Sequence, residues 1–338
     1  MRQVTALLLV SLLALPALAE DLVLVNGTII DGTGKARALA SVRIRDDKVT
    51  DIGVFKPMPG EMVLDVKGMI VAPGFVDLQS LSPSAIGKDP AAASLIAQGV
   101  TTAVLGSDGT GPYSVEDFML PFDEKPTALN IAMLVGHATV RRQIMGSDYK
   151  RAATADEISR MGELVADGMR QGAFGLASDF QQEPASFSTT EEVMALARVA
   201  AKFGGTFLMS VRDEKETITV ARTTKVPVQV LNANKTAITE IDKARAQGVD
   251  IAADSYAFSQ LLRDRTIALE RAIQRMTGTP AGRAGLRERG ILKKGMPADV
   301  VVFDPQSLAA GMKHVFVNGT MVVKDGQPTN ARPGQALR

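Results

Sequence analysis

The sequence predicts an α/β protein: a barrel-like body of alternating strands and helices, with a small β domain assembled from both ends of the chain. Three observations carry this expectation. Both ends are rich in short β-branched runs separated by turn dipeptides. The middle alternates apolar strand-like runs with amphipathic helical stretches. With 338 residues, 46% of them hydrophobic, the chain can bury one large core and a smaller one.

At the N-terminal end, DLVLVNGTIIDGTG carries two β-branched runs around Asn26-Gly27, a dipeptide of hairpin turns. SVRIRDDKVTDIGV alternates apolar and polar residues and turns at Asp46-Asp47. MVLDVKGMIVAPGF adds further short strands. The C-terminal end matches, with ADVVVFDP followed by HVFVNGTMVVKDG and a second Asn-Gly turn at Asn318-Gly319. Residues 20–72 and 291–338 are therefore expected to form one composite β-sandwich.

Residues 73–290 make the inserted body. Its apolar runs are VAPGFVDLQ, TTAVLGSDG, LNIAMLVGHATV, GAFGLASD, GTFLMSVR, VPVQVLNAN and VDIAADSYAF. Between several of them lie ADEISRMGELVADGMRQG, TTEEVMALARVAAKFGG and TAITEIDKARAQG. Each starts near a threonine with acidic residues in or near the first turn and stops at glycine, the marks of a helix start and end. Such alternation means a parallel sheet, open or closed. The span falls short of the ~250 residues of a typical eight-strand barrel. LERAIQRMTGTPAGRAGL reads as a helix leading back to the β domain, with Arg287, Arg289, Lys293 and Lys294 beyond it read as solvated charge. Met161 and Met169 read as core.

The first residues read as a signal peptide over 1–19. Arg2 is the charged start, Ala6 to Leu15 the apolar run, and Ala17-Leu18-Ala19 the cleavage site. The alternative is a buried N-terminal helix. The apolar run is too short for a stable membrane span, so the expected location is periplasmic or secreted. No cysteine is present, so no disulfide and no thiolate ligand is available. Basic and acidic side chains number 38 and 37; without a basic stripe, nothing points to nucleic acid.

Several segments together resemble the amidohydrolase superfamily, and within it the D-aminoacylases or N-acyl-D-amino-acid deacylases. They are VAPGFVDLQSL, GVTTAVLGSDG, LVGHATVRRQIMG, GAFGLASDF, FSTTEEVMALARVAAKFGGTFLMSVRDE and MTGTPAGRAGLRERGILKKGMPADVVVFDP. The resemblance runs in order from about Asp21 to Arg338. It implies a TIM-like metal-dependent hydrolase barrel with a terminal β-sandwich, and hydrolysis of an N-acyl-D-amino acid. In active relatives zinc polarises the amide carbonyl and acidifies its bound water, and a carboxylate shuttles the proton. Ligands for such a metal sit at the C-terminal ends of barrel strands.

The positions that the resemblance assigns to metal ligands are changed here. Where the family has D-x-H-x-H, this chain has Asp77-Leu78-Gln79-Ser80-Leu81, so Gln79 and Leu81 replace both histidines. Asp108 stands at the family's cysteine, Ser210 two residues before Arg212 at one histidine, and Ala233 two before Lys235 at another. The eighth strand with its catalytic aspartate is expected to be missing. Asp77, Asp108 and Asp254 are the remaining catalytic candidates, with Asp179 a further carboxylate. An all-carboxylate set favours magnesium or calcium over zinc, and no cofactor is expected. His137, Arg212 and Tyr256 are the substrate-pocket candidates. Each has a plainer reading: a hydrogen-bonded structural histidine, a loop salt-bridge cluster, and packing. His314 reads as structural or surface.

Three functions remain open on these residues. One is a degenerate amidohydrolase, inactive but kept for binding an acyl-amino acid or cell-wall fragment, or as a scaffold. The second is an active hydrolase with a rebuilt carboxylate site. The third is an interaction module whose open barrel edge is covered by a partner or a second copy.

Overall fold

The computed structural model describes residues 21–79, 83–253, 261–262, 264, 266–306 and 311–338. The expected signal peptide, Leu81, Asp254 and Tyr256 lie outside the described residues. Chain order begins with five strands: β1 (Leu22–Ile29), β2 (Ala38–Arg45), β3 (Lys48–Gly53), β4 (Met62–Asp65) and β5 (Ile70–Pro73).

Asn26-Gly27 is not a hairpin turn. β1 runs straight through it, with its register against β2 shifting between Leu24 and Gly27 and Asn26 at φ 58°. The irregularity lets one strand serve two neighbours on its far side. Leu22 to Val25 pair with β4, and Thr28 and Ile29 pair with β5. Glycine is required at the crossover, because a Cβ on Gly27 would lie 2.8 Å from Val71 Cγ2. The Asp46-Asp47 turn does join β2 to β3, with Asp46 at φ 53°.

The body follows as β6 (Phe75–Asp77), β7 (Val100–Leu105), β8 (Asn130–Met133), β9 (Val135–Gly136), β10 (Gly175–Ser178), β11 (Thr206–Ser210), β12 (Val228–Leu231) and β13 (Ile251–Ala253). All pair in parallel, as a three-stranded sheet β6-β7-β8 and a five-stranded sheet β13-β12-β11-β10-β9. Only Leu134 separates β8 from β9, so one passage of chain pairs with β7 first and β10 next. Each of the seven apolar runs holds one such passage. Among the described residues no strand pairs with the outer edges of β6 and β13.

Alternation sorts the side chains. Val76, Val104, Ala132, Leu134, Ala177, Leu208 and Leu231 share an inner cluster with Ala281, Ala284 and Leu286. Their neighbours Ala103, Ile131, Met133, Leu176, Phe207, Met209 and Val230 join a larger cluster with the surrounding helices, Met161 and Met169 included. The long helices Ala155–Arg170 and Thr190–Lys202 start at Thr154 and Thr189, whose side chains accept from the backbone N–H groups of Glu157 and Glu192. The helix expected after the body is two, Leu269–Met276 and Gly278–Arg283, broken at Thr277. Both touch β6.

The last strands are β14 (Val300–Phe303), β15 (His314–Val317), β16 (Thr320–Lys324) and β17 (Gln327–Pro328). Strands from both ends form one nine-stranded sheet, β17-β16-β15-β14-β5-β1-β2-β3, with β4 on β1. The seam is the antiparallel pair β5–β14, where Val301 faces Ala72. Asn318 and Gly319 have φ 45° and 77°, as the Asn-Gly turn between β15 and β16 requires.

Beneath the body the chain closes with a buried polar network. Arg289, read from sequence as solvated, is buried and ion-paired with Asp299; it also donates to Asn318 Oδ1 at 2.8 Å and Gln335 Oε1 at 3.2 Å. Asn130 donates from Nδ2 to Asp299 and accepts from Asn318 Nδ2 at 2.8 Å and the Gln335 N–H at 3.1 Å. Its partners are far away in sequence, which is why the local pattern around Arg289 looked like ordinary surface. No helix among the described residues is long and apolar enough to cross a membrane.

Candidate functional site at the barrel mouth

Asp77, Asp108, Asp179, Ser210 and Ala233 lie at or just beyond the C-terminal ends of their strands. Leu208 and Ala177 point inward, so Ser210 and Asp179, two residues on, share the inner side. They meet: Ser210 Oγ donates to Asp179 Oδ1 at 2.8 Å, and Ser210 Oγ accepts the Phe180 N–H at 2.9 Å. Asp179 also accepts from the Gln181 N–H at 3.0 Å and from Gln182 Nε2 at 2.8 Å. Most of the lone-pair capacity of this carboxylate is thus spent on Ser210 and on its own loop.

The other carboxylates are held locally too. Asp108 accepts from the Thr110 N–H at 3.0 Å and Thr110 Oγ1 at 2.8 Å, a side-chain turn that shapes the loop. Gly106 and Gly109 bracket that turn at φ 81° and 76°. The loop lies tight across the mouth, since a Cβ on Gly136 would sit 2.4 Å from Gly109 O. Asp77 accepts from the Gln79 N–H at 2.9 Å. Ala233, by alternation with Leu231, is buried and apolar, and Asn234 beside it caps the helix Lys235–Ala246.

Among the described residues no three histidine, aspartate or glutamate side chains converge closely enough to hold a metal ion. The donor chemistry agrees: an amide at Gln79, a hydroxyl already bonded at Ser210 and a methyl at Ala233 are not a zinc set. The residues present do not fit the metal centre that the resemblance implies, and no step of amide hydrolysis follows from them.

Arg212 is fully engaged. Its Nε donates to Glu216 Oε2 at 2.9 Å and its Nη1 to Ser188 O at 2.7 Å, while its guanidinium lies 4.9 Å from the centre of the Phe180 ring. Its second nitrogen pairs with the same glutamate.

His137 sits on the other side of the sheet from the mouth. Its Nδ1 is 2.8 Å from Ser178 Oγ and its Nε2 2.8 Å from Glu192 Oε1. With a carboxylate at Nε2, that nitrogen donates, and in the neutral ring Nδ1 accepts from Ser178. Serine, histidine and acid in a row suggest a charge relay, but all three are at most 1% exposed. Ser178 alternates with the inward Ala177, so it faces the helix layer and no substrate can reach it. Arg141, also buried, pairs with Glu192 and donates from Nη2 to Tyr149 O at 3.0 Å and Phe187 O at 3.3 Å. Its Nε has no partner among the described residues. Burial pushes the Glu192 carboxyl upward, but the hydrogen bonds and charges of His137 and Arg141 outweigh it and hold it below the usual glutamate range. Sequence reading found His137; Glu192 and Arg141 were missed, because nothing in an amphipathic helix marks which acid faces inward. His314, in β15, is buried, and burial holds its pKa below the ordinary value.

Comparison with known proteins gives this geometry its lineage. The model of the amidohydrolase family matches residues 257–329. A D-aminoacylase of Alcaligenes xylosoxydans xylosoxydans is 28% identical over an alignment covering 94% of this chain and 76% of that protein. The N-acyl-D-glutamate deacylase of the same organism is 25% identical, covering 94% and 96%. These likenesses support an assignment to the amidohydrolase family, beside the D-aminoacylases.

Solved structures agree on the fold. A D-aminoacylase crystal structure superposes with a TM-score of 0.85 at 24% identity, covering 94% of this chain and all of the other. The N-acyl-D-glutamate deacylase of Bordetella bronchiseptica, complexed with zinc and a phosphonate inhibitor, gives the same TM-score and identity. The body thus shares the α/β fold of these proteins. Against the glutamate deacylase the alignment runs over 472 positions, longer than the 338 residues of this chain. A sizeable part of that relative therefore has no counterpart here.

Proposed function

We propose that this chain is an exported D-aminoacylase-like protein that no longer hydrolyses amides and keeps its barrel for ligand binding or scaffolding. One observation carries the reading. At the mouth, Ser210 stands where the resemblance places a histidine ligand, and its hydroxyl is spent on Asp179. Gln79, Leu81 and Ala233 extend the same loss. Each ligand contributes directly to holding the ion, so their joint loss is hard to rescue.

The rest of the reading is a shortened barrel over residues 73–290, lacking the eighth strand, with a β-sandwich built from 20–72 and 291–338. The missing alignment positions support the shortening. A cleavable segment over 1–19 would deliver the chain to the periplasm or beyond. A homo-oligomer or partner covering the open edge fits the same picture.

Metal analysis of the purified protein, with N-acyl-D-amino acid turnover measured alongside, tests the reading. The expected result is no stoichiometric metal and no turnover above background. Tightly held metal, with turnover that stops on chelation, would establish a rebuilt carboxylate site instead.

A further inference from the structure

Beside the mouth lies a cleft of about 350 Å³ between the 106–111 loop, the helix His137–Met145 and the loop at Glu183-Pro184. That volume suits a small molecule. Its walls carry Arg142, Gln143, Thr110, Thr139, Glu183 and Pro184. Here the charges are unbalanced. Glu183 is answered twice, accepting from Tyr149 Oη at 2.8 Å and Lys150 Nζ at 3.2 Å. Arg142 makes no ion pair or side-chain hydrogen bond among the described residues; its guanidinium lies 4.9 Å from the centre of the Tyr149 ring. Its charge also acts on Glu183, but no hydrogen bond occupies its N–H donors among the described residues, the groups that grip a carboxylate with two parallel bonds.

The cleft is also held in shape from below. Arg141, the preceding residue, is buried, and it ties down the carbonyls of Tyr149 and Phe187. The ring under Arg142 and the loop carrying Glu183 are therefore fixed by the same buried knot, Glu192–Arg141–His137. Binding needs little further ordering of these walls.

We propose that this cleft binds a small organic acid, its carboxylate on Arg142 and a short apolar body along Pro184. One open cation suits a monoanion, and a dianion would meet Glu183. The inference builds on the reading of the barrel as a ligand-binding body, but its test does not pass through hydrolysis, so either can fail alone.

The experiment is calorimetric titration of the purified protein with hexanoate and benzoate, each against its neutral amide, and with inorganic phosphate. At least one acid is expected to bind in the millimolar range or tighter, with its amide and phosphate about tenfold weaker. Arg142→Gln is expected to weaken the acid by about tenfold, the scale of a hydrogen bond to a charged group. Arg142→Lys should lose part of that, and Glu183→Gln should strengthen binding. Arg142 is exposed, so the variants fold. The proposal is overturned if neither acid binds at tens of millimolar, if Arg142→Gln binds equally well, or if amide or phosphate matches the acid.

Discussion

Glu192 is buried against two partners, His137 and Arg141, that pair with no other carboxylate among the described residues. Replacing one member of a buried ion pair leaves the other uncompensated, at a cost of about 3–5 kcal/mol. Glu192→Gln is expected to destabilise the protein by that order in a urea melt, with the slope of the transition unchanged. The pH dependence follows from its lowered pKa. Above the unfolded glutamate value near 4.5 the full contribution is present. As pH falls below that value the unfolded chain takes up the proton first, and stability is lost until pH passes the folded value. Glu270, drawn down to about 2 by its hydrogen bond from Arg37, has the same sign over the window from 4.5 to about 2. An acid titration of the melting temperature should fall through this range, and less steeply in Glu192→Gln. The Ser178–His137–Glu192 row is then a structural clamp, and its resemblance to a catalytic relay is one of order without access.

Helix starts show a different balance, with local sequence in control. Thr154 and Glu157 form a complete capping box: Glu157 N–H donates to Thr154 Oγ1 at 3.2 Å and Thr154 N–H to Glu157 Oε2 at 2.8 Å. Thr189 does half of this for the helix that carries Glu192, accepting from the Glu192 N–H at 3.3 Å. Thr189→Ala should cost about 1 kcal/mol. Because the cap aligns the turn holding Glu192, hydrogen exchange should rise in that helix before it rises in Ala155–Arg170. Uniform change across both helices would show that the cap does not act locally. Strands were less legible. Asn26-Gly27 carries the composition of a hairpin turn, yet β1 continues through it, because pairing with β2, β4 and β5 outweighs a two-residue preference.

For the whole molecule, the question is what couples barrel to sheet. The β5–β14 seam joins the chain ends, and the Arg289–Asp299–Asn318–Asn130–Gln335 network fastens that sheet to the foot of β8. Arg289→Met should destabilise strongly, by about 3–5 kcal/mol, since Asp299 would stay buried with its charge unpaired. The double variant with Asp299→Asn should recover part of the loss. A double variant that loses the sum of the two single losses would mean the pair is not coupled. The tail takes part as well, for Leu337 packs on the inner cluster and its N–H donates to Ile131 O at 2.8 Å.

The sequence by itself determined the alternation of strands and helices, the helix caps, the Asp46-Asp47 and Asn318-Gly319 turns, and the resemblance to a family, since these rest on periodicity, local hydrogen bonds and the order of motifs. It also puts Gln79, Leu81, Ser210 and Ala233 where the resemblance implies metal ligands, and residue types alone decide what can hold zinc. Only the tertiary structure decided which charges are buried. Arg289 read as surface until partners distant in sequence were brought against it, Arg141 and Glu192 carried no local mark of their burial, and Arg212 is spent on Glu216 and Ser188. A side chain's charge is written locally, but whether it is matched, spent or left open depends on contacts that only folding creates.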